Sequence, residues 1–271
     1  MDFTIEKYQE LLTALKKHKA HRIRHDVDLR PEYSLRVAEV EAHQGIKATY
    51  YFRSMHFESH KDTIKAIVAL GHEAGYHYDC LTTCNGDTEA AYDDFCRNLE
   101  RLREIVPVKT ACAHGSPRSP WNSQIIWETS RLRDFETSSR YDIHALGIEY
   151  EPMLDTDFSR TLYLTDTGRR WDGYKVSVRD KVPQYQEQWE QEGLTFHSTD
   201  DIIHALNDIH HPIHQKELLI NTHPQRWMPF GMQWAMEAGV QWWKNQAKRL
   251  IVLGRRCPLT MTMTVDDDDD R

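Results

Sequence analysis

No stretch of the sequence approaches the run of about 18 apolar residues that a membrane-spanning helix needs. The opening Met1-Asp2-Phe3-Thr4 lacks the basic segment followed by an apolar one that marks a secretory leader. The expectation is a soluble cytoplasmic protein. Cysteine is scarce: Cys80, Cys84, Cys96, Cys112 and Cys257 are the five among 271 residues. An odd number without zinc-type pairing argues against a disulfide framework and for free thiols in a reducing compartment. An excess of positive charge is also missing. Lys and Arg number 34 against 42 Asp and Glu, a net charge of −8, which argues against a general nucleic-acid binder. Five of the negative charges form the run Asp266 to Asp270, so residues 266–271 read as a solvated, disordered acidic tail. No internal repeat or linker divides the remainder, and residues 1–265 read as one domain.

What is present suits a globular core: 39% hydrophobic residues, 10% aromatic, and 16 histidines. Apolar spacing predicts a helix over 5–18, a strand over 21–27 and a helix from Pro31 to about His43. Ala48-Thr49-Tyr50-Tyr51-Phe52 is strongly β-prone and reads as a second strand. A helix carrying Ile64 and Ile67 follows, then a strand from Gly71, an amphipathic helix over 88–106 and a short strand from Val108 to Ala113. Strand and helix alternating over short connections predict a parallel sheet flanked by helices, an α/β fold. The middle, 115–195, predicts shorter strands and long loops. A helix over 199–210, a strand over 217–221 and a last helix over about 232–253 complete the chain. Trp234, Trp242 and Trp243 on that last helix are expected to pack in the core.

Polar residues that end buried strands are the candidates for chemistry, because active groups on parallel sheets gather at the carboxyl ends of the strands. Arg24-His25-Asp26-Val27-Asp28 ends the first strand with two carboxylates on one face. Two close carboxylates repel unless a cation sits between them, so this pair suggests a metal and a base, or else a turn that caps the next helix. His77, His114 and His223 end three other strands and are candidate ligands or proton carriers. His72, an odd number of residues before His77, reads as structural. Trp171, within Gly168-Arg169-Arg170-Trp171-Asp172-Gly173, and Trp227, beside Arg226, offer either a sugar-binding platform or core packing.

Arg-His-Asp-Val-Asp, the Ala48–Phe52 run, Gly-His-Glu-Ala-Gly-Tyr-His ending at His77, His114-Gly-Ser-Pro, Asp166-Thr-Gly with Trp171-Asp172, and Thr222-His223-Pro224 occur in that order. Together they resemble the polysaccharide deacetylases, the NodB-homology enzymes of carbohydrate esterase family 4. The resemblance spans roughly residues 20–225 and is similar to a divergent branch of bacterial surface-polysaccharide, or O-antigen, clusters. It implies an irregular (β/α)7 barrel. It implies that Asp26 is the catalytic base, that Asp28 and His77 hold a divalent metal such as Zn²⁺, and that His223 is the general acid. The position four beyond His77, which carries a second His ligand in the family, is Leu81 here. His114, Asp79 or water could complete the set. The arginine-bearing motif of the family is replaced by His114-Gly-Ser-Pro, leaving Arg24 or Arg170 to orient the base.

The activity implied is metal-dependent removal of an N-acetyl or other acyl group, at a linear amide bond, from an amino sugar in surface-polysaccharide assembly. The substrate would be an N-acetylated sugar or a nucleotide- or lipid-linked form of one. Arg24, Arg170, Trp171, Asp172 and Trp227 are the expected substrate-binding residues. The alternative is a catalytically altered barrel that binds sugar without cleaving it.

Overall fold

Strand β1 (His21–Val27) has strand neighbours on both sides, and its last five residues are buried. A strand covered on both faces carries polar residues only where they are partnered. In the computed structural model, which describes residues 1–116, 119–128, 141–175, 177 and 179–256, five more strands join it. They are β2 (Thr49–Phe52), β3 (Glu73–Tyr78), β4 (Ala111–Ala113), β5 (Thr161–Thr165) and β6 (Glu217–Thr222). The order is β4-β3-β2-β1-β6-β5, and every pairing is parallel. The last strand therefore lies between the first and the fifth. The acidic tail and Cys257 lie outside the described residues, as do Val176 and Val178 in the middle segment.

Among the described residues, the helices of two turns or more are α1 (Ile5–Leu15), α2 (Glu32–His43), α3 (Lys61–Ala69), α4 (Thr88–Arg103), α5 (Pro183–Gln191), α6 (Thr199–Asn207) and α7 (Met232–Arg256). Their sequences explain their limits. Thr4 accepts the amide of Lys7 to start α1, and Asp87 accepts that of Ala90 to start α4. Ser198 and Asp201 form a reciprocal capping box on α6. Several elements are shorter than their spacing suggests. The strand expected over 108–113 keeps only Ala111–Ala113, and Ile125–Glu128 forms a helical turn.

One side chain reports the curvature of the sheet. Neighbouring strands lie about 4.8 Å apart, so in a flat sheet β1 and β4 would be about 14 Å apart. Yet Arg24 on β1 places Nη1 2.9 Å from Cys112 Sγ on β4 and Nη2 3.2 Å from the Tyr163 hydroxyl on β5. It reaches both edge strands, so the sheet is curled into a half-barrel with Arg24 inside. This is the α/β barrel-type architecture expected from the strand–helix alternation and the motif order.

The opposite face of β1 carries His25, which meets Glu41 of α2 at 2.8 Å. Glu41 is fully buried and also accepts the hydroxyls of Tyr8 and Tyr50, while Thr222 lies 2.7 Å from the other His25 nitrogen. These partners outweigh the burial that would raise the Glu41 pKa, and hold it below its usual value. His72 is structural, as expected: it is buried, with Nε2 2.9 Å from the Ala38 carbonyl.

The last helix departs from expectation. Trp242 and Trp243 are 54% and 71% exposed, not buried. The face of α7 toward the body is instead polar. Asn245 donates to the Gly168 carbonyl at 2.8 Å, Glu237 pairs with Arg169, and Gln241 is buried.

Candidate metal and catalytic site

Alternation along the curled strands sets which side chains meet. Arg24 and Asp26 of β1, Tyr51 of β2, His77 of β3, Cys112 of β4, Tyr163 of β5 and Asn221 of β6 share the inner face by register. Beyond the strand ends, Asp28, His114, Asp180, His223 and Arg226 join Arg24, Asp26 and His77 around a cleft of about 470 Å³. A second depression, about 380 Å³, lies by Ala20, His21 and Glu217 at the other end of the strands and contains none of these groups.

Three donors converge at one wall of the cleft. Asp28 Oδ1 lies 3.2 Å from His114 Nε2 and 3.4 Å from His77 Nε2. A tetrahedral cation with arms of ~2.0–2.1 Å spaces its ligands about 3.3–3.4 Å apart. Asp28 Oδ1 is buried and accepts no aligned hydrogen bond, an orphaned oxygen where a cation would sit. The remaining ring nitrogens are engaged from behind. His77 Nδ1 is 2.9 Å from the Cys112 carbonyl, and His114 Nδ1 is 3.2 Å from Asp79 Oδ2. Such outer partners fix the tautomer and aim Nε2 inward. The three residues thus fit a divalent ion.

Burial pushes the Asp28 carboxyl up, but His114 and His77 outweigh it and hold the group well below the usual carboxylate range. Burial likewise pushes His114 down, and the nearby carboxylates of Asp28 and Asp79 lift it to about 9. Metal binding at such a site competes with protons for the imidazole nitrogens. Cys112 forms a second possible trio with Asp26 and His77. Burial raises its thiol pKa above the ordinary value, and Arg24 Nη1 donates to its Sγ at 2.9 Å.

Asp26 stands beside this trio, with Oδ2 4.0 Å from His77 Nε2. Asn221 donates to that Oδ2 at 2.9 Å and Arg24 at 3.2 Å. The other oxygen, Oδ1, is buried and has no hydrogen bond. One half of the carboxylate is held and the other is left to accept a proton. Asp180, bonded by Tyr163, Thr165 and Thr167, helps balance the Arg24 charge from the next loop.

His223 faces the trio from the opposite side, with Nε2 3.7 Å from Asp28 Oδ2. Its Nδ1 is 2.6 Å from Asp166 Oδ1, and its amide donates to Asp166 Oδ2 at 3.0 Å. A carboxylate only accepts, so Nδ1 carries the proton and Nε2 is turned to the cleft. Trp227 Nε1 donates to Asp166 Oδ2 at 2.8 Å, and Arg226 donates to the Asp166 carbonyl at 2.7 Å. Burial pushes the Asp166 carboxyl up, and the Arg226 and His223 charges bring it down to about 2.

The structure therefore brings Arg24, Asp26, Asp28, His77, His114 and His223 together. It does not bring the other expected substrate contacts to the cleft. Trp171 and Trp227 are buried, at 4% and 1% exposure, in a cluster with Phe3 and Tyr8. Trp171 Nε1 is satisfied by Thr199, so neither ring offers a face to a sugar. Arg170 pairs with Asp172, and Asp172 with His197, away from the cleft. Arg170 therefore lies away from Asp26, whereas Arg24 donates to Asp26 Oδ2. Leu81 is a core residue at 3% exposure, and His114 occupies the third donor position.

Similar solved structures include members of carbohydrate esterase family 4. A Streptococcus mutans CE4 esterase shares 14% identity, with a TM-score of 0.44 over 94% of this chain and 89% of that one. Bacillus subtilis PdaA, a family 4 carbohydrate esterase, shares 13%, with a TM-score of 0.39 over 87% and 83%. A BA3943 mutant, described as a CE4 family pseudoenzyme with restored enzymatic activity, shares 11%, with a TM-score of 0.41 over 85% of this chain. The chain spans 64% of that protein's length. No family model matches the sequence, and no curated protein matches it.

Three working parts of the cleft carried weak signals in the sequence. Asn221 is a polar residue closing an apolar strand, and Asp166 stands just after another strand. Asp180 lies in a loop with no periodicity, and only the fold brings it to Arg24.

Proposed function

We propose that the chain is a metal-dependent hydrolase that removes an N-acetyl or related acyl group from an amino sugar used in surface-polysaccharide (O-antigen) assembly. The observation that carries this reading is the Asp28–His77–His114 donor trio beside a half-held carboxylate, Asp26, and across from the Asp166-held imidazole of His223. Asp28, His77 and His114 would hold the ion, Zn²⁺ being suited to two imidazoles and a carboxylate. When bound, such an ion polarises an acyl carbonyl and makes water a stronger acid.

The chain's own residues supply the proton transfers. Asp26 Oδ1 takes a proton from the attacking water, while Arg24 and Asn221 hold Oδ2 in place. Water oxygen bonds to the acyl carbon and the carbon–nitrogen bond breaks. His223 Nε2 gives the departing nitrogen its proton, and Asp166 stabilises the imidazolium before transfer. The second water proton passes from the new acid to the amine, so the products are a carboxylate and the ammonium form of the amino sugar, and the proton held by Asp26 is passed on to restore His223. The alternative, a barrel that binds sugar without cleaving it, drew its support from Leu81; His114 in the third donor position weighs against it.

Zinc-loaded protein is expected to release acetate from N-acetylated amino sugars, and a chelator is expected to stop it. Asp26→Asn should lower turnover by ~10²–10⁴ while metal content stays stoichiometric. Undiminished acetate release by Asp26→Asn would overturn the assignment of the base. Protein that holds acetamido sugars but no metal would favour the binding-only alternative.

A further inference from the structure

Helix α7 is built the wrong way round for water. Its polar residues face the protein: Glu237 pairs with Arg169, Gln241 is buried, and Asn245 donates to the Gly168 carbonyl. Trp234 anchors the same side, with Nε1 3.2 Å from the carbonyls of Asp2 and Phe3. At 100° per residue, positions 234, 237, 241 and 245 form one stripe. The opposite face is apolar and open. Met232, Met236, Val240 and Trp243 are 79%, 65%, 54% and 71% exposed, with Trp242 at 54% on the flank and Phe230 at 63% just before the helix. A helix bordered by solvent puts its apolar stripe on the core and its charges outside. Here the two are exchanged, and a contiguous patch of large apolar side chains marks a contact surface.

The charge of the helix identifies the partner. Residues 232–256 contain Lys244, Lys248, Arg249, Arg255 and Arg256 but only one acidic residue, Glu237, in a chain whose net charge is −8. The sequence repeats the apolar spacing at Ala247, Leu250 and Gly254. Large apolar residues with tryptophan on one side and a basic complement are the composition of a helix that lies in the plane of a bilayer surface. A second copy of this helix would bring a like-charged segment to the patch, whereas anionic headgroups complement it. No helix among the described residues is long and apolar enough to cross a membrane, so the contact is a surface one.

We propose that α7 is a membrane-docking element that seats its Met232–Trp243 face in an anionic lipid surface, with the exposed Lys244 beside that face at the headgroups. The helix follows directly from the loop of His223 and Arg226, so docking would bring one rim of the cleft near the bilayer. Nothing in the docking depends on the chemistry inside the cleft.

The test uses the full chain with vesicles of phosphatidylcholine alone or in equal parts with phosphatidylglycerol. The chain should sediment with the phosphatidylglycerol vesicles at least ~10-fold more strongly than with neutral ones. High salt should weaken that binding, and tryptophan emission should shift to the blue. Met236→Glu with Trp243→Glu should abolish binding at an unchanged thermal midpoint, since both side chains are exposed. Lys244→Glu, which leaves the apolar face intact, should weaken it severalfold. Equal partition onto both vesicle types, or none, overturns the proposal. So does a vesicle-free dimer that Trp243→Glu dissolves, which would assign the face to a second copy.

Discussion

Asp166 is buried beneath His223 and accepts from the His223 amide and ring, the Arg226 guanidinium and the Trp227 indole. Its carboxyl is brought to about 2, below the 3.8 of an unperturbed aspartate. A group with a depressed folded-state pKa stabilises the protein above its unfolded pKa and loses that contribution as pH falls through the folded one. Between about pH 5 and pH 2 the wild type should therefore lose roughly 2 kcal/mol more stability than Asp166→Asn, on a scale of 1.36 kcal/mol per pKa unit. Urea unfolding of both proteins across that range measures it, and parallel pH profiles would contradict the assignment. Asp166 also marks how far single residues were legible. Its motif was visible beside a strand, and His223 stood out because a proline follows it. The pairing of the two was not visible, since 57 positions separate them. Trp171 and Trp227 misled for a related reason. An indole beside arginine and aspartate has the composition of a sugar platform, and only the fold assigns it to the core.

Strands β2 and β3 show the same limits at the level of elements. Periodicity and β-propensity located both, because buried parallel strands concentrate apolar residues. The curl of the sheet was not written in any one segment. It comes from side chains that several strands must accommodate together, and Gly75 is one such point. Tyr51 lies across the inner face of β3, and a Cβ on Gly75 would stand 2.5 Å from its ring and 2.8 Å from Thr110 Oγ1. Gly75→Ala is expected to cost about 1–3 kcal/mol through overpacking. A lowered urea midpoint at unchanged slope would report it, and an unchanged midpoint would show that Tyr51 yields freely. Helix α7 departs further from expectation. Its tryptophans have ordinary core spacing, and the sequence gives no sign of which stripe faces inward. The polar anchors at Gly168 and Arg169 decide that, and they belong to a different part of the chain.

At the scale of the whole molecule, the donor trio joins β1, β3 and β4 at their ends, so an ion bound there cross-links strands that the chain connects only through long excursions. A ligand that binds only the folded state stabilises it by mass action. Zinc well above its dissociation constant should raise the thermal midpoint by roughly 5–10 °C. The shift should vanish in His114→Ala. Calorimetry with and without zinc tests this, and a full shift in the variant would remove His114 from the ligand set.

The placement of β6 bears on how the protein is made. Asn221 and His223 belong to the last strand and its exit, yet that strand pairs with β1 on one side and β5 on the other. During synthesis β1 is complete long before β6 leaves the ribosome, and its inner edge stays open until then. Open edges of apolar strands invite pairing with other chains. The nascent protein should thus pass through a long interval in which an edge of β1 is open and Asp26 has neither Asn221 beside it nor His223 across the cleft, and both gaps close with the docking of one strand.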